Sequence, residues 1–252
     1  MTSQQSLQSR LDSDLSSSLK DSASIRDRAR LNTISGQHAG AWLRALPNLS
    51  LGLAMLSKEF SVALRVWLGI PIFNLPADAK RCTGGAIIDK FGDHLLGCNQ
   101  EQNLRMKCHN ALCEVVFNAL LVDDSRCRRE MRCSRTSNSR HGDIFHPNFE
   151  HGLPTYFDLT VQNSLQPSYL VQAAACPGAA AAAGDFEKDQ WHDAMVSNTG
   201  GIFHPLVVES FGLWTPNSLQ VLKIIARRAS YLNNAGISRS VCNLHQQLSV
   251  KV

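Results

Sequence analysis

Two short apolar runs that each carry one aspartate are the feature that most constrains the fold of this chain. They lie between Arg140 and Val161, in RHGDIFHPNFEHGLPTYFDLTV, with Asp143 at the start of the first run and Asp158 inside the second. An aspartate among aromatic and β-branched residues is costly to desolvate unless a partner compensates its charge. Two such carboxylates on neighbouring strands suit a hard divalent cation, whereas ordinary strand-end acids that cap turns are the alternative interpretation.

The charges around these runs are segregated along the sequence. From Arg126 to Arg140 the chain has six arginines and one acid, Glu130, whereas from His141 to Glu209 it has eight acids and one lysine, Lys188. An arginine block suits phosphate groups, and a lone lysine among acids suits a developing negative charge. The alternative is that the arginines and the lysine belong to solvated faces. Glu209, the last acid of this block, either binds a metal or simply ends a strand.

Length and composition indicate a globular chain. Its 252 residues are 44% hydrophobic and 18% charged, which is enough for one sizeable domain or two small ones. The net charge of +4 is only mildly basic, so the clustering of charge says more about partners than its sum. The sequence has no apolar run long enough for a membrane span and no secretory apolar core at its N-terminus. We therefore expect no membrane partner and a reducing location, nuclear or cytoplasmic, in which the eight cysteines serve as core residues or metal ligands.

The order of predicted elements indicates an α/β fold, a mixed sheet flanked by helices and preceded by a helical segment. Apolar periodicity predicts helices at 57–68, 100–121 and 185–197, and a last helix that begins at Asn217 or Ser218. Strands are predicted around Glu130–Cys133, Gly142–His146, Thr155–Gln162 and 205–210. We expect five regions: a polar arm, either helical or a solvated tail, at 1–34, a helical segment at 35–79, a knuckle at 80–98, the sheet domain at 99–235 and a tail at 236–252.

The knuckle is a short, turn-rich segment that begins and ends with a cysteine, CTGGAIIDKFGDHLLGC from Cys82 to Cys98. His94 lies four residues before Cys98, a spacing that places two ligands on one turn of helix, as a small zinc site requires. A closed zinc site needs four nitrogen or sulfur ligands, and this segment offers three. The alternative is that the two cysteines and the histidine are incidental.

Several short motifs together resemble one family. They are GAWL, EF, ALR-W-LGIP, C-x-x-G, FGDHLLGC, a helix with HN, GD, FDLTV, a lysine on a helix and LVVES-G, and they cover roughly residues 35–230. The arrangement is similar to the C-terminal region of non-LTR retrotransposon polyproteins, downstream of the reverse transcriptase. That region ends in a zinc knuckle and a restriction-like endonuclease of the PD-(D/E)XK class. The polymerase motif YxDD is absent, because VDDS at 122–125 lacks the tyrosine, so we expect a severed piece of such an element.

The resemblance implies a metal-dependent nuclease that nicks target DNA. Asp143 and Asp158 match the two aspartates that hold Mg²⁺ or Mn²⁺, Lys188 matches the catalytic lysine on the following helix, and Glu130 is a candidate additional acid. Cys82, His94 and Cys98 match ligands for Zn²⁺. The implied partners are DNA and the RNA of the parent element, with no obligate small-molecule substrate. The basic residues expected to contact nucleic acid are Arg105, His109, Arg128, Arg129, Arg132 and Arg140.

The sequence departs from the family pattern at three positions. Gly142 precedes Asp143 where the family has proline, Gly84 stands where the knuckle has its second cysteine, and Cys108 replaces a basic residue before His109. These departures keep a second hypothesis open, a catalytically inactive nucleic-acid-binding remnant of the same domain. A third is a globular remnant with no activity.

Overall fold

The structure is a computed structural model that describes residues 3–74, 80–98, 100, 104–130, 141–197, 200–232, 234 and 236–252, with the backbone alone for 191–197. The helices are α1 (Ser3–Ser22), α2 (Ile25–Ile34), α3 (Ser57–Leu68), α4 (Asp93–Gly97), α5 (Leu104–Asp123), α6 (Leu170–Ala175), α7 (Ala179–Ser197), α8 (Pro216–Leu232) and α9 (Ile237–Lys251). A short 3-10 helix covers Ala39–Arg44. The strands are β1 (Arg128–Arg129), β2 (Ile144–Glu150), β3 (Leu153–Gln162) and β4 (Ile202–Glu209).

The four strands form one mixed sheet in the order β1-β2-β3-β4, which confirms the predicted α/β class with helices flanking a mixed sheet. β2 runs antiparallel to both β1 and β3, whereas β4 runs parallel to β3. A two-residue turn joins β2 to β3, and its residues His151 and Gly152 both have positive φ. Such turns match the twist of the flanking strands. The parallel pair requires a crossover, which α6 and α7 provide.

The hydrophobic core lies between the sheet and helices α5, α8 and α9. Helices α7 and α8 both pack against β4, and the second half of this strand, from Pro205 to Glu209, is buried. The largest side chains that are completely buried in this core include Phe157, Leu112, Leu206, Leu222 and Ile225.

Helix α2 is packed against the rest of the protein, whereas the sequence also allowed a solvated tail for residues 1–34. Ala29 and Thr33 are buried, and α2 packs against α6. The Asn32 side-chain amide donates hydrogen bonds to the carbonyl oxygens of Ala173 (2.9 Å) and Ala174 (3.1 Å). Helix α2 is therefore held by polar contacts that hydrophobic periodicity does not report. In α1, by contrast, the four leucines that recur every four residues, Leu7, Leu11, Leu15 and Leu19, remain exposed.

The C-terminal residues form helix α9 and not the expected tail. Leu244 and Leu248 of this helix are buried in the same core as α5 and α8. The sheet domain therefore extends beyond residue 235 to the end of the chain. The reason is that α9 covers apolar surface on α5 and α8, and this surface exists only once those helices have packed.

Several element boundaries also differ from the predicted ones. β1 covers Arg128–Arg129, before the predicted Glu130–Cys133 strand, and Cys133 lies outside the described residues. β2 starts at Ile144 and runs past His146, because the hairpin with β3 extends the hydrogen-bonded pairing to Glu150. The helix predicted at 185–197 begins earlier, because the alanine-rich segment at 179–183 is part of α7, which starts at Ala179. The predicted helix at 57–68 is confirmed, and it ends at Gly69 in the left-handed conformation.

A pair of stacked histidines joins the 3-10 helix to α9. The rings of His38 and His245 are parallel within 5°, with centroids 3.8 Å apart. Burial and the neighbouring His38 lower the pKa of His245 to about 4, while burial and Arg44 lower the pKa of His38. Both rings are therefore neutral in the folded protein at pH 7.

We expect acidification from pH 6.5 to pH 4 to lower the free energy of unfolding by about 3 kcal/mol through His245 alone. The unfolded chain binds a proton on this histidine near pH 6.5, whereas the folded chain resists protonation until about pH 4. The stability that comes from the depressed pKa of His245 is thus present above pH 6.5 and is lost as the pH falls toward 4. Urea denaturation at several pH values measures the slope, which should flatten in His245→Phe. The exposed His151→Asn serves as the control, and an unchanged slope in His245→Phe would contradict the assignment.

Candidate active site

The two aspartates singled out in the sequence lie beside each other on neighbouring strands, Asp143 directly before β2 and Asp158 within β3. Ile144 of β2 pairs with Phe157 of β3, so one further step of this antiparallel register places Asp143 opposite Asp158. The Asp143 carboxylate also accepts a hydrogen bond from the Leu159 backbone N–H at 2.8 Å. The two carboxylates are therefore brought together by strand pairing, as the strand predictions required.

Gly142 accounts for the absence of the proline expected before Asp143. A Cβ atom at position 142 would lie 2.8 Å from the carbonyl oxygen of Phe157, which is closer than real contacts allow. Because glycine has no Cβ, the chain approaches the β3 backbone closely at this point. The close approach places Asp143 within reach of the Leu159 N–H.

Lys188 reaches this site from helix α7. Its Nζ lies 2.6 Å from Asp158 Oδ2, and its charge also contributes to lowering the pKa of Asp143. The helix comes close to β3 at Gly184, one helical turn before Lys188, where a Cβ atom would lie 2.6 Å from Nε2 of Gln162. A larger residue at position 184 would therefore require the Gln162 side chain to shift.

His109 of α5 supplies a second cation. Its Nε2 lies 3.0 Å from Asp143 Oδ2, and the thiol of Cys113 lies 3.7 Å from the same nitrogen. The Asp143 carboxylate raises the pKa of His109 to about 11. Burial opposes ionisation of Asp143, but His109, the Leu159 N–H and Lys188 outweigh it, so the pKa of Asp143 is lowered. The site therefore holds two carboxylates, each paired with one cation.

These side chains lie in or beside an open cleft of about 490 Å³ between α5, β3 and α7. Asp158 itself is only 8% exposed, so its charge is largely shielded from water. Residues of the cleft wall that carry polar groups are Arg105, His109, Thr160, Gln162, Glu187 and Lys188. An anionic substrate that enters this cleft meets cations on two helices beside the paired carboxylates.

The expected nucleic-acid contacts divide into three groups. Arg105 and His109 line the cleft. Arg129 instead forms an ion pair with Glu114 (2.9 Å), and Arg128 donates to the Cys127 carbonyl (2.8 Å), so both belong to the β1 surface. Arg132 and Arg140 lie outside the described residues.

The two other acids considered in the sequence have backbone or structural contacts. Glu130 has a positive φ of 52°, and its N–H donates to the Asp143 carbonyl at 2.8 Å. Glu209 is fully buried, and its carboxylate accepts hydrogen bonds from the N–H groups of Ala180 and Ala181 and from the Thr33 hydroxyl. Glu209 thus stabilises the N-terminus of α7, the helix that carries Lys188, and does not line the cleft.

Sequence reasoning missed three residues of the site: Thr160, Gln162 and Cys113. The first two follow Asp158 at intervals of two, and alternate residues of a strand share one face, so this periodicity was a usable signal. Cys113 follows His109 by four residues, which places both on one face of a helix. Nothing in the sequence alone indicates that this face of α5 meets Asp143.

A second group able to hold a metal ion lies in the knuckle. One ligand atom each from Cys82, His94 and Cys98 lie within 4.8 Å of one another. Nε2 of His94 is buried and has no hydrogen-bond partner in the described structure. The neighbouring His94 imidazole, with help from backbone N–H groups, lowers the pKa of Cys82 to about 7. His109, Cys113 and Asp143 form another such group in the cleft.

The knuckle is also tied to the N-terminal helices. Arg26 of α2 forms a bidentate ion pair with Asp93, at 2.5 and 2.7 Å, and its guanidinium lies 3.7 Å from the centre of the Phe91 ring. Asp89 accepts a hydrogen bond from the His94 N–H at 3.0 Å, which fixes the start of α4. The segment that carries the three candidate ligands is therefore anchored to α2 close to His94.

Comparison of the chain with protein-family models, with curated proteins and with solved structures finds no match. Within the described part of the chain, each helix is too short or too polar to cross a lipid bilayer. The geometry of the cleft and of the knuckle therefore carries the functional argument.

Proposed function

We propose that this chain is a metal-dependent DNA endonuclease of the restriction-like PD-(D/E)XK class, derived from the C-terminal region of a non-LTR retrotransposon polyprotein. The observation that carries the proposal is the meeting of Asp143, Asp158 and Lys188 on the mixed sheet, beside a cleft that Lys188 lines. The order of elements supports it, since a helix, three antiparallel strands, a helix and a parallel strand follow one another, with short α6 inserted before α7.

The donor set of the cleft fits Mg²⁺ or Mn²⁺. Asp143 and Asp158 offer carboxylate oxygens, which are the ligands that hard divalent cations prefer. When bound, such an ion polarises a phosphoryl oxygen and lowers the pKa of an attacking water. Lys188 and His109 now balance the charge of the two aspartates. In the loaded site they would be free to neutralise charge on the phosphate, since a cation aimed at a developing oxyanion stabilises the transition state.

Binding of the DNA strand fits the basic wall of the cleft. Arg105 and His109 extend along α5 and line the same cavity as Lys188. Contacts from arginine and lysine to phosphate oxygens position a duplex but carry no sequence information. The site therefore supports phosphodiester binding, and we assign it no target sequence.

We expect the purified chain to nick supercoiled plasmid in Mg²⁺ or Mn²⁺ and to lose this activity in EDTA. Lys188→Ala should slow nicking by about a hundredfold, because it removes one cation from the transition state. Asp143→Ala should remove metal-dependent nicking altogether. Agarose-gel assays of open-circle product under single-turnover conditions measure both. Nicking that persists in both variants would place the active site elsewhere.

The second candidate function is an inactive nucleic-acid-binding remnant. The observation that favours it is the ion pair between His109 and Asp143, which occupies a carboxylate oxygen needed for metal. A folded chain that shifts DNA with a steep salt dependence, yet nicks none of it, would establish this alternative. A chain that neither shifts nor nicks DNA would exclude both.

We also propose Zn²⁺ for the knuckle. Two thiols and an imidazole are a zinc donor set, and the buried, unpartnered Nε2 of His94 lies among them. Zinc bound there would stabilise the short segment between Cys82 and Cys98. The described residues supply three ligands to this group, so the fourth coordination position is left to solvent or to a residue outside them.

We expect Gly84→Cys to raise the affinity of the knuckle for Zn²⁺ by at least about tenfold, because a fourth thiolate closes the tetrahedral set. A Cβ atom at position 84 would lie 3.7 Å from the Cys82 sulfur, and its tight contact is with the flexible Gln100 side chain. Competition with a chromogenic zinc chelator measures the affinity. Gly84→Ser, of similar size but a poor zinc ligand, is the control. Equal affinities in the two variants would contradict this geometry.

A further inference from the structure

A second cleft lies away from the candidate active site, between the 3-10 helix, α8 and α9. Its volume is about 820 Å³, and its walls include Arg44, Lys223 and the stacked pair His38 and His245. The remaining wall residues are apolar or neutral, with glutamines from each of the three helical segments or their flanks, and none is an acid. The cleft thus presents cations and amide groups without a compensating carboxylate.

The two cations of this cleft are not neutralised inside the described structure. Arg44 and Lys223 are exposed, and neither side chain has a hydrogen bond or ion pair with any described residue. The sequence around Lys223 strengthens the positive field, because residues 210–252 contain no acid. This segment contains the basic residues Lys223, Arg227, Arg228, Arg239 and Lys251. Of these, Arg228 forms an ion pair with Asp123, whereas the other four have no ion pair with an acid in the part of the chain that the structure describes.

The walls of the cleft are fixed before any ligand arrives. The Ser249 hydroxyl donates to the Ala39 carbonyl at 2.8 Å, and the Gln246 amide donates to the Arg44 carbonyl at 3.2 Å. These bonds attach the 3-10 helix to α9. His245 is only 3% exposed, its Nδ1 has no partner in the described structure, and its ring is held against His38. A preformed, electropositive cleft loses little conformational entropy on binding an anion.

We propose that this cleft binds the phosphodiester backbone of a nucleic-acid strand, as a contact separate from the candidate active site. Arg44 and Lys223 belong to different elements, so a polymer with successive phosphates can engage both at once. Each cation that neutralises a backbone phosphate releases condensed counterions, which makes binding salt-dependent. The proposal does not depend on cleavage, because it uses none of the residues of the candidate active site.

An exposed thiol gives a direct test of where the strand lies. Cys242 is exposed and lines this cleft, whereas Cys176 is exposed elsewhere and serves as an internal reference. In EDTA, a saturating 20-nucleotide single-stranded DNA or RNA should slow alkylation of Cys242 by N-ethylmaleimide several-fold and leave Cys176 unchanged. Mass spectrometry of the labelled peptides measures both rates. Protection of neither thiol by either oligonucleotide would overturn the proposal, and comparison of DNA with RNA identifies the preferred strand.

Affinity measurements separate this contact from general basicity. By fluorescence anisotropy, R44Q/K223Q should weaken oligonucleotide binding by about tenfold and reduce the slope of log K against log salt by roughly 1.4. The charge-matched control R10Q/K58Q removes two exposed cations outside the cleft and should change neither quantity appreciably. Equal losses in both variants would overturn the proposal, as would full protection of Cys242 by inorganic phosphate alone. These outcomes do not depend on plasmid nicking, so the strand-binding proposal and the nuclease proposal can be contradicted independently of each other.

Discussion

Replacing Asp158 by asparagine is expected to lower metal-dependent nicking by at least about a thousandfold, which corresponds to about 4 kcal/mol of transition-state stabilisation. Asparagine keeps the size of the side chain but removes the negative charge that would hold the metal ion. The change also removes the partner of Lys188, whose Nζ lies 2.6 Å from the carboxylate. Single-turnover nicking of supercoiled plasmid in Mg²⁺ and in Mn²⁺ measures the loss.

A matched control separates charge from position. Asp189 lies on α7 directly after Lys188 but lines a different surface cleft, so Asp189→Asn removes the same charge and should keep most of the activity. Circular dichroism and thermal denaturation establish that both variants are folded. Near-equal activity of Asp158→Asn and the unmodified chain would contradict the assignment of Asp158 as a metal ligand. Equal losses in both variants would point to net charge and not to the site.

The second large effect is expected on stability, at Glu209. Its buried carboxylate joins three elements, since it ends β4, accepts the Ala180 and Ala181 N–H groups of α7 and accepts the Thr33 hydroxyl of α2 at 2.5 Å. Glu209→Ala leaves these donors without an acceptor and leaves a cavity. We expect the free energy of unfolding to fall by about 3 kcal/mol, measured by urea denaturation at pH 7.

Glu209→Gln is the informative partner of that variant. The glutamine oxygen can accept both backbone N–H groups while its amide donates to Thr33, so the expected change is within about 1 kcal/mol. Burial raises the pKa of Glu209, so protonation favours the folded chain. The stability from this proton is present below pH 4.5 and is lost as the pH rises through the raised pKa. Glu209→Gln should lack this pH dependence, and identical pH profiles would show that the carboxylate does not titrate differently on folding.

Local patterns in the sequence predicted much of the architecture. Apolar periodicity predicted α3 to the residue, and a run of aromatic and β-branched residues predicted β3 to within two residues at its start. Two apolar runs that each carry one aspartate singled out Asp143 and Asp158, and the distribution of charge singled out Lys188. The structure brings these three residues together beside a cleft that Lys188 lines. The identity of the metal and the reaction remain proposals that rest on this geometry.

Local patterns in the sequence did not predict the contacts between residues that are far apart along the chain. His109 meets Asp143 across 34 positions of the chain, and Thr33 meets Glu209 across 176. The buried state of α2 likewise depends on carbonyl groups of α6 that accept from Asn32. Each of these contacts joins a polar side chain to a partner that only the packing of helices on the sheet supplies.

The sequence by itself determined the α/β class, the strand that holds Asp158 and the separation of basic and acidic segments, because these follow from periodicity and charge along neighbouring residues. The tertiary structure alone decided that α9 completes the core, that Gly142 and Gly184 permit the close approaches at the site, and that Arg44 and Lys223 share a cleft. The physical reason is that burial and electrostatic pairing depend on which surfaces meet, and residues far apart in sequence meet only in the folded chain.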